Sequence, residues 1–138
     1  RPKNTFEQVS ASARLEGTLS EALLVGGTVR WQDSTTEEPG SRLFDSPGVV
    51  DAENLVATAY GQWTGDAGLA SRLTYGRHER DYVFTSSWGA SPGANTRDIL
   101  DWQTSWKDDA SIELVGGANA EWVENNASGS RSEDEVLA

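Results

Sequence analysis

Three groups of residues in this chain have side chains capable of chemistry. Asp101 and Glu113 fall on what read as neighbouring strands, where two carboxyls could divide the roles of acid and base. Asp33, Glu37, Glu38, Asp45 and Asp51 share a polar stretch with Pro39, Gly40, Pro47 and Gly48; carboxylates on irregular backbone are the hard oxygen donors that Ca²⁺ takes. Tyr82, Phe84 and Trp88 lie in a second polar stretch, residues 79–96, where rings can stack on a flat ligand or pack on a neighbouring loop. None of the three carries a catalytic or metal signature. The acids lack EF-hand spacing, acidic loops are ordinarily hydrated, and a carboxylate pair without a cleft is ordinarily a solvated charge. Cysteine is absent and His78 is the only histidine, which excludes disulfide scaffolds, thiol catalysis, Cys-based zinc and His-rich metal sites. The chain reads as non-enzymatic, with calcium as the one cofactor its acids could serve.

The elements that position these groups are strands. Val9, Ala11, Ala13, Leu15, Gly17 and Leu19 alternate with Ser10, Ser12, Arg14, Glu16 and Thr18, and after a turn at Ser20 and Glu21 the series Leu23, Val25, Gly27, Val29, Trp31 continues the pattern. A second hairpin alternates through Leu55, Ala57, Ala59, Gly61 and Trp63, turns over residues 64–67, and returns through Leu69, Ser71, Leu73 and Tyr75. A third runs through Leu100, Trp102, Thr104 and Trp106, turns at residues 107–109, and returns through Ile112, Leu114, Gly116, Ala118, Ala120 and Trp122. The expected fold is all-β: an antiparallel up-and-down meander of about six strands in three hairpins, with short turns on one rim and two long loops, residues 33–53 and 79–96, on the other.

A soluble sheet with one wet face also alternates, so aromatic position carries the distinction. On the apolar face Trp63 and Trp106 lie two or three residues from the short turns, whereas Trp31, Tyr75 and Trp122 lie about nine to thirteen residues away. At about 3.3 Å per residue and a tilt near 45°, the two groups stand on the order of 20–30 Å apart. That matches two aromatic girdles around an apolar band of a lipid-facing barrel wall. Trp102 falls near the middle of the band and is the exception.

Composition agrees: the chain is 36% hydrophobic and has no apolar run near the roughly 18 residues that a spanning helix needs. A formal charge of −11 argues against nucleic acid as a partner. Six strands are too few for a closed barrel in lipid, where about eight is the small end, so the expectation is a piece of a larger barrel. Residues 131–138 read as a loop leading into a next strand.

The segments Leu23-Leu24-Val25-Gly26-Gly27-Thr28-Val29-Arg30-Trp31, Ala57-Thr58-Ala59-Tyr60-Gly61-Gln62-Trp63 and Leu100-Asp101-Trp102-Gln103-Thr104-Ser105-Trp106 resemble barrel strands of TonB-dependent outer-membrane receptors, the third hairpin being closest to the cobalamin and siderophore branch. The resemblance covers residues 6–126. It implies a middle portion of a barrel of about twenty-two strands, residues 1–138 being a partial barrel domain without its plug domain. It also implies a bacterial outer-membrane location and import of a scarce small ligand, such as cobalamin or a ferric siderophore. The implied partners are the rest of the barrel, its plug, outer-membrane lipid and, indirectly, TonB. Arg14, Glu16, Arg30, Arg72, Asp101, Glu113 and Glu121 would face a hydrated lumen. The alternative is a soluble β-sandwich carbohydrate-binding module with Trp63, Trp102 and Trp106 as a stacking platform; it requires a second sheet against the apolar face.

Overall fold

In the computed structural model, which describes residues 5–38, 47–107, 112–127 and 130–137, the strands are β1 (Phe6–Ser20), β2 (Leu23–Glu38), β3 (Gly48–Thr64), β4 (Leu69–Ser86), β5 (Gly89–Lys107), β6 (Glu113–Ala127) and β7 (Ser130–Leu137). They form one antiparallel meander sheet in the order β1 to β7, and no described strand closes β7 onto β1. The three expected hairpins are all present, and a seventh strand joins them. Residues 130–137 are not a loop: they pair with β6, Ser130 opposite Ala127 and Leu137 opposite Ala120.

The long loops are mostly strand. Residues 33–38 and 48–53 continue the β2–β3 ladder, with Asp33 opposite Glu53 and Thr36 opposite Val50. Residues 79–96 form an extended hairpin that reverses at Ser87 and Trp88. The physical reason is that alternation of apolarity marks a strand only where one face is dry. Where both faces meet water, pairing persists through backbone hydrogen bonds while the apolar period vanishes. The strands of 15–19 residues in β1 to β6 exceed the 9–11 or so that a tilted strand needs to cross a bilayer, so the sheet extends well past its apolar part.

The turns fix the registers. Glu21 and Ala22 reverse β1 into β2, one residue beyond the expected Ser20–Glu21 turn. Residues 65–68 reverse β3 into β4, with the Gly65 amide donating to the Leu69 carbonyl at 2.8 Å. Ala67 and Gly68 both take positive φ there, 58° and 76°. The turn expected at residues 107–109 lies outside the described residues beyond Lys107. A Cβ in the left-handed region costs about 1–2 kcal/mol, and glycine's extra chain entropy offsets part of this. Ala67→Gly is therefore expected to stabilise the fold by about 0.5 kcal/mol, read as a rise in the urea midpoint without a change in slope.

The sheet is a single layer. Among the described residues Ala52, 7% exposed, is the one buried apolar side chain, while Leu15, Leu73, Trp63 and Trp102 are open. Nothing described packs across either face.

Candidate functional site: a wall with two unlike faces

The register brings the apolar series of all six strands onto one face. Leu15, Gly27, Ala59, Tyr75, Leu100 and Ala120 partner one another in a row across β1 to β6. The next row toward the 65–68 turn is Gly17, Val25, Gly61, Leu73, Trp102 and Ala118. A one-residue slip in any pair would turn that strand's apolar residues to the other side, so five consistent registers make a continuous apolar surface. We call the rim with the Glu21–Ala22 and 65–68 turns the lower rim, and that with the Ser87–Trp88 turn the upper rim.

Aromatic side chains mark both borders of this surface, and at the upper border their polar tips are aimed out of it. At the upper border the Trp31 indole N–H donates to Glu53 Oε1 at 2.6 Å, and the Tyr75 hydroxyl donates to Asp98 Oδ1 at 2.5 Å. Both acceptors lie one row further toward the upper rim. At the lower border the Trp63 ring reaches over Gly65 in the turn. Trp102 lies inside the band, one row below Leu100 and two above Trp106: it stands opposite Leu73 and Ala118, and its N–H donates to Ser71 Oγ at 2.9 Å, on the lower-rim side. An indole or phenol with an apolar body and a wet tip is the arrangement that an apolar–water boundary selects.

The borders also drift across the sheet. Trp31 and Leu55 end the apolar series in one row, on β4 and β5 it ends two rows lower, at Tyr75 and Leu100, and on β6 it rises by one row again, to Trp122. At the bottom it ends at Leu23 and Trp63 on β2 and β3 but one row lower, at Leu69 and Trp106, on β4 and β5. A level slab crossing strands tilted by about 40° shifts by on the order of one residue per strand, so a drifting border is what a tilted wall presents.

The opposite face is polar. Arg14 and Glu16 form an ion pair at 2.8 Å, the Tyr60 hydroxyl donates to the same Glu16 carboxylate, and Arg72 sits over the Tyr60 ring, 4.6 Å from its centroid. Arg97 pairs with Glu121 at 2.8 Å across β5 and β6, and the Asn95 amide donates to Asn125 Oδ1. Tyr60 and His78 belong to this face, as the alternation along their strands implies, and so does Arg80, which continuing the parity from Arg72 and His78 through the polar stretch places there.

The three sequence-derived groups come out differently. Asp101 partners Asn119 and Glu113 partners Lys107, six residues apart along one ladder, so the two carboxyls do not face each other. Among the expected calcium ligands, Asp33 and Asp51 lie on the apolar-face side above the border, near Glu53 and Asp81, around a shallow concavity; Thr35 Oγ1 donates to Asp51 Oδ1 at 2.7 Å. Glu37 stands opposite Val49 and Glu38 opposite Gly48, while Asp45 lies outside the described residues. No group of three or more His, Cys, Asp or Glu among the described residues is arranged to hold a metal ion. Tyr82 and Phe84 are strand residues of β4 on the polar face, half-buried, their rings over Gly93 and Gly48; Trp88, 86% exposed, caps the hairpin. On the apolar-face side Arg77 lies above Tyr75, bound to Glu79 at 2.6 Å and Asp98 at 3.5 Å. The hydrogen bond to Glu79, that to Tyr75 and the charge of Asp98 push its pKa above the ordinary value.

No family model matches the chain, and no curated protein matches it.

Proposed function

We propose that the chain forms consecutive staves of an outer-membrane β-barrel, the wall and external hairpins of a TonB-dependent receptor that imports a scarce ligand such as cobalamin or a ferric siderophore. The observation that carries the membrane reading is the continuous apolar face with aromatic side chains at both borders, those of the upper border turning their polar tips out of it. On this reading the apolar face meets lipid and the polar face lines a water-filled lumen. The upper hairpins project from the outer surface. The receptor assignment rests on the resemblance of the strand segments. Work of this kind is binding and passage, and a mixed-sign hydrated wall suits it better than bond-breaking chemistry. A β-sandwich module would need a second layer on the apolar face, and the described strands form one layer.

Single-tryptophan variants reconstituted in lipid test it. Trp31-only and Trp122-only forms should be quenched by lipids brominated near the headgroup and resist iodide, as rings at a membrane interface do. A Trp88-only form should be quenched by iodide and indifferent to brominated lipid, because it caps a hairpin beyond the band. Iodide quenching of Trp31 equal to that of Trp88 would sink the membrane reading. For the receptor assignment, cells lacking the protein should lose growth on cobalamin or a ferric siderophore as sole source, as should cells lacking TonB.

A further inference from the structure

The formal charge of −11 is not shared evenly by the two faces. Above the band, the lipid-side positions hold Asp33, Asp51, Glu53, Glu79, Asp81 and Asp98 against one base, Arg77, which is already paired. The lumen side at the same height has the opposite sign. Arg30, Val56, His78 and Arg97 partner one another across β2 to β5, and Arg80 stands two residues beyond His78. Glu121, the acid beside this stretch among residues with described side chains, is bound to Arg97. Arg30 and Arg80 meet no carboxylate among the described residues. The Arg80 guanidinium lies over the Tyr82 ring, 5.6 Å from its centroid, and Phe84 follows on the same face. Arg30 also borders a shallow depression with Val56 and the hydrogen-bonding side chains Gln32, Asn54 and His78.

We propose that this stretch is a subsite at the mouth of the lumen for a multiply anionic small ligand bearing a flat ring. Arg30 and Arg80 receive the anionic groups and Tyr82 and Phe84 receive the ring. Guanidinium groups without an internal carboxylate are the donors that carboxylate, sulfonate or phosphate oxygens pair with most strongly. Two strands and two residues separate Arg30 from Arg80, roughly 12 Å of backbone, so the ligand is one that bridges several anionic groups over about that span. The outer acids repel such a ligand from the lipid-side surface and leave the lumen as its one attractive approach. The proposal rests on the barrel reading, which decides that this face lines a lumen.

The test uses the protein as its gene encodes it, extracted from membranes in nonionic detergent, with the trisulfonated pyrene dye pyranine as probe. Dye anisotropy should report saturable binding that weakens steeply with salt. Arg30→Glu with Arg80→Glu should weaken it by about tenfold or more, the loss expected for two charge-assisted contacts. Arg30→Lys with Arg80→Lys should keep most of it, and Glu53→Gln on the other face should leave it unchanged. Absence of dye binding, or equal binding by the double Glu variant, would overturn the subsite, including the case in which acids of another domain already occupy these arginines. The tryptophan quenching pattern, measured on the same samples, separates the failures: if intact, the subsite alone is wrong; if absent, the barrel reading falls and the subsite with it.

Discussion

Ala59→Arg is expected to destabilise the membrane-assembled protein by about 2–4 kcal/mol, whereas Thr58→Arg, one residue away, should change it by less than about 1 kcal/mol. Ala59 sits mid-band on the apolar face between Gly27 and Tyr75, and Thr58 sits on the polar face between Thr28 and Gly76. Each site has a glycine on one side, Gly27 beside Ala59 and Gly76 beside Thr58, which leaves room for a longer side chain. On the proposed barrel reading the difference comes from where the guanidinium ends: on one face in hydrocarbon, far from either interface, on the other in a wet lumen. A sheet with water on both sides would treat the two arginines alike, each within about 0.5 kcal/mol of neutral. Refolding into bilayers across a guanidinium series measures both midpoints. Equal shifts would mean that no lipid slab lies against Ala59.

The part of the fold that was legible is the part that this experiment probes. Within the band each strand announces its face, because Leu, Val, Ala and Trp recur at every second residue, and register then has no freedom: Leu73 must stand by Gly61 and Trp102 if the surface is to be continuous. Above the band the same backbone ladder runs on under residues such as Glu79, Arg80 and Asp81, which have no reason to alternate in hydropathy when both sides are wet. The hairpin from 79 to 96 therefore reads as loop, although Tyr82, Val83, Phe84 and Thr85 are strand-forming types and Gly89, at φ 125°, marks the reversal. β7 was hidden for a different reason. Ser130, Glu133, Asp134 and Glu135 have poor strand propensity, and only the edge of β6 recruits them.

The candidate site followed the same division. The expected girdle residues lie at the ends of the apolar series, and the structure adds the direction of the Trp31 and Tyr75 polar tips. Trp102 remains the exception: it stays inside the band, one row below Leu100, with its N–H toward the lower rim. The grouping of acids by proximity in sequence failed because it ignored parity. Asp33 and Glu53 are 20 residues apart in the chain yet adjacent on one face. Charge sign, summed along the sequence, concealed a segregation that appears once each residue is assigned a side.

A second large effect is expected at the lower rim. Gly68→Ala should destabilise the protein by about 2–4 kcal/mol, combining a strained backbone of about 1–2 kcal/mol with a steric displacement of similar size. Gly68 has φ 76°, and an added Cβ would stand 2.0 Å from the Lys107 carbonyl oxygen. That oxygen belongs to backbone and cannot swing aside. The two chains cannot separate cheaply either, because the Lys107 amide donates to the Gly68 carbonyl at 3.1 Å. Relief therefore requires moving the start of β4 against the end of β5, where Leu69 and Trp106 set the register of a pair that must keep its apolar residues on one side. Two other glycines supply the scale. At Gly89, φ 125° with nothing within 4 Å of a Cβ, alanine adds strain alone, about 1–2 kcal/mol. At Gly61, with no positive φ and open space around it, alanine should be neutral or stabilise by about 0.5 kcal/mol through reduced chain entropy. The predicted order of unfolding midpoints is thus Gly61→Ala, Gly89→Ala, Gly68→Ala from highest to lowest. If Gly68→Ala matched Gly89→Ala, the contact with Lys107 would have no energetic role, and the 65–68 turn would not be what anchors β4 against β5.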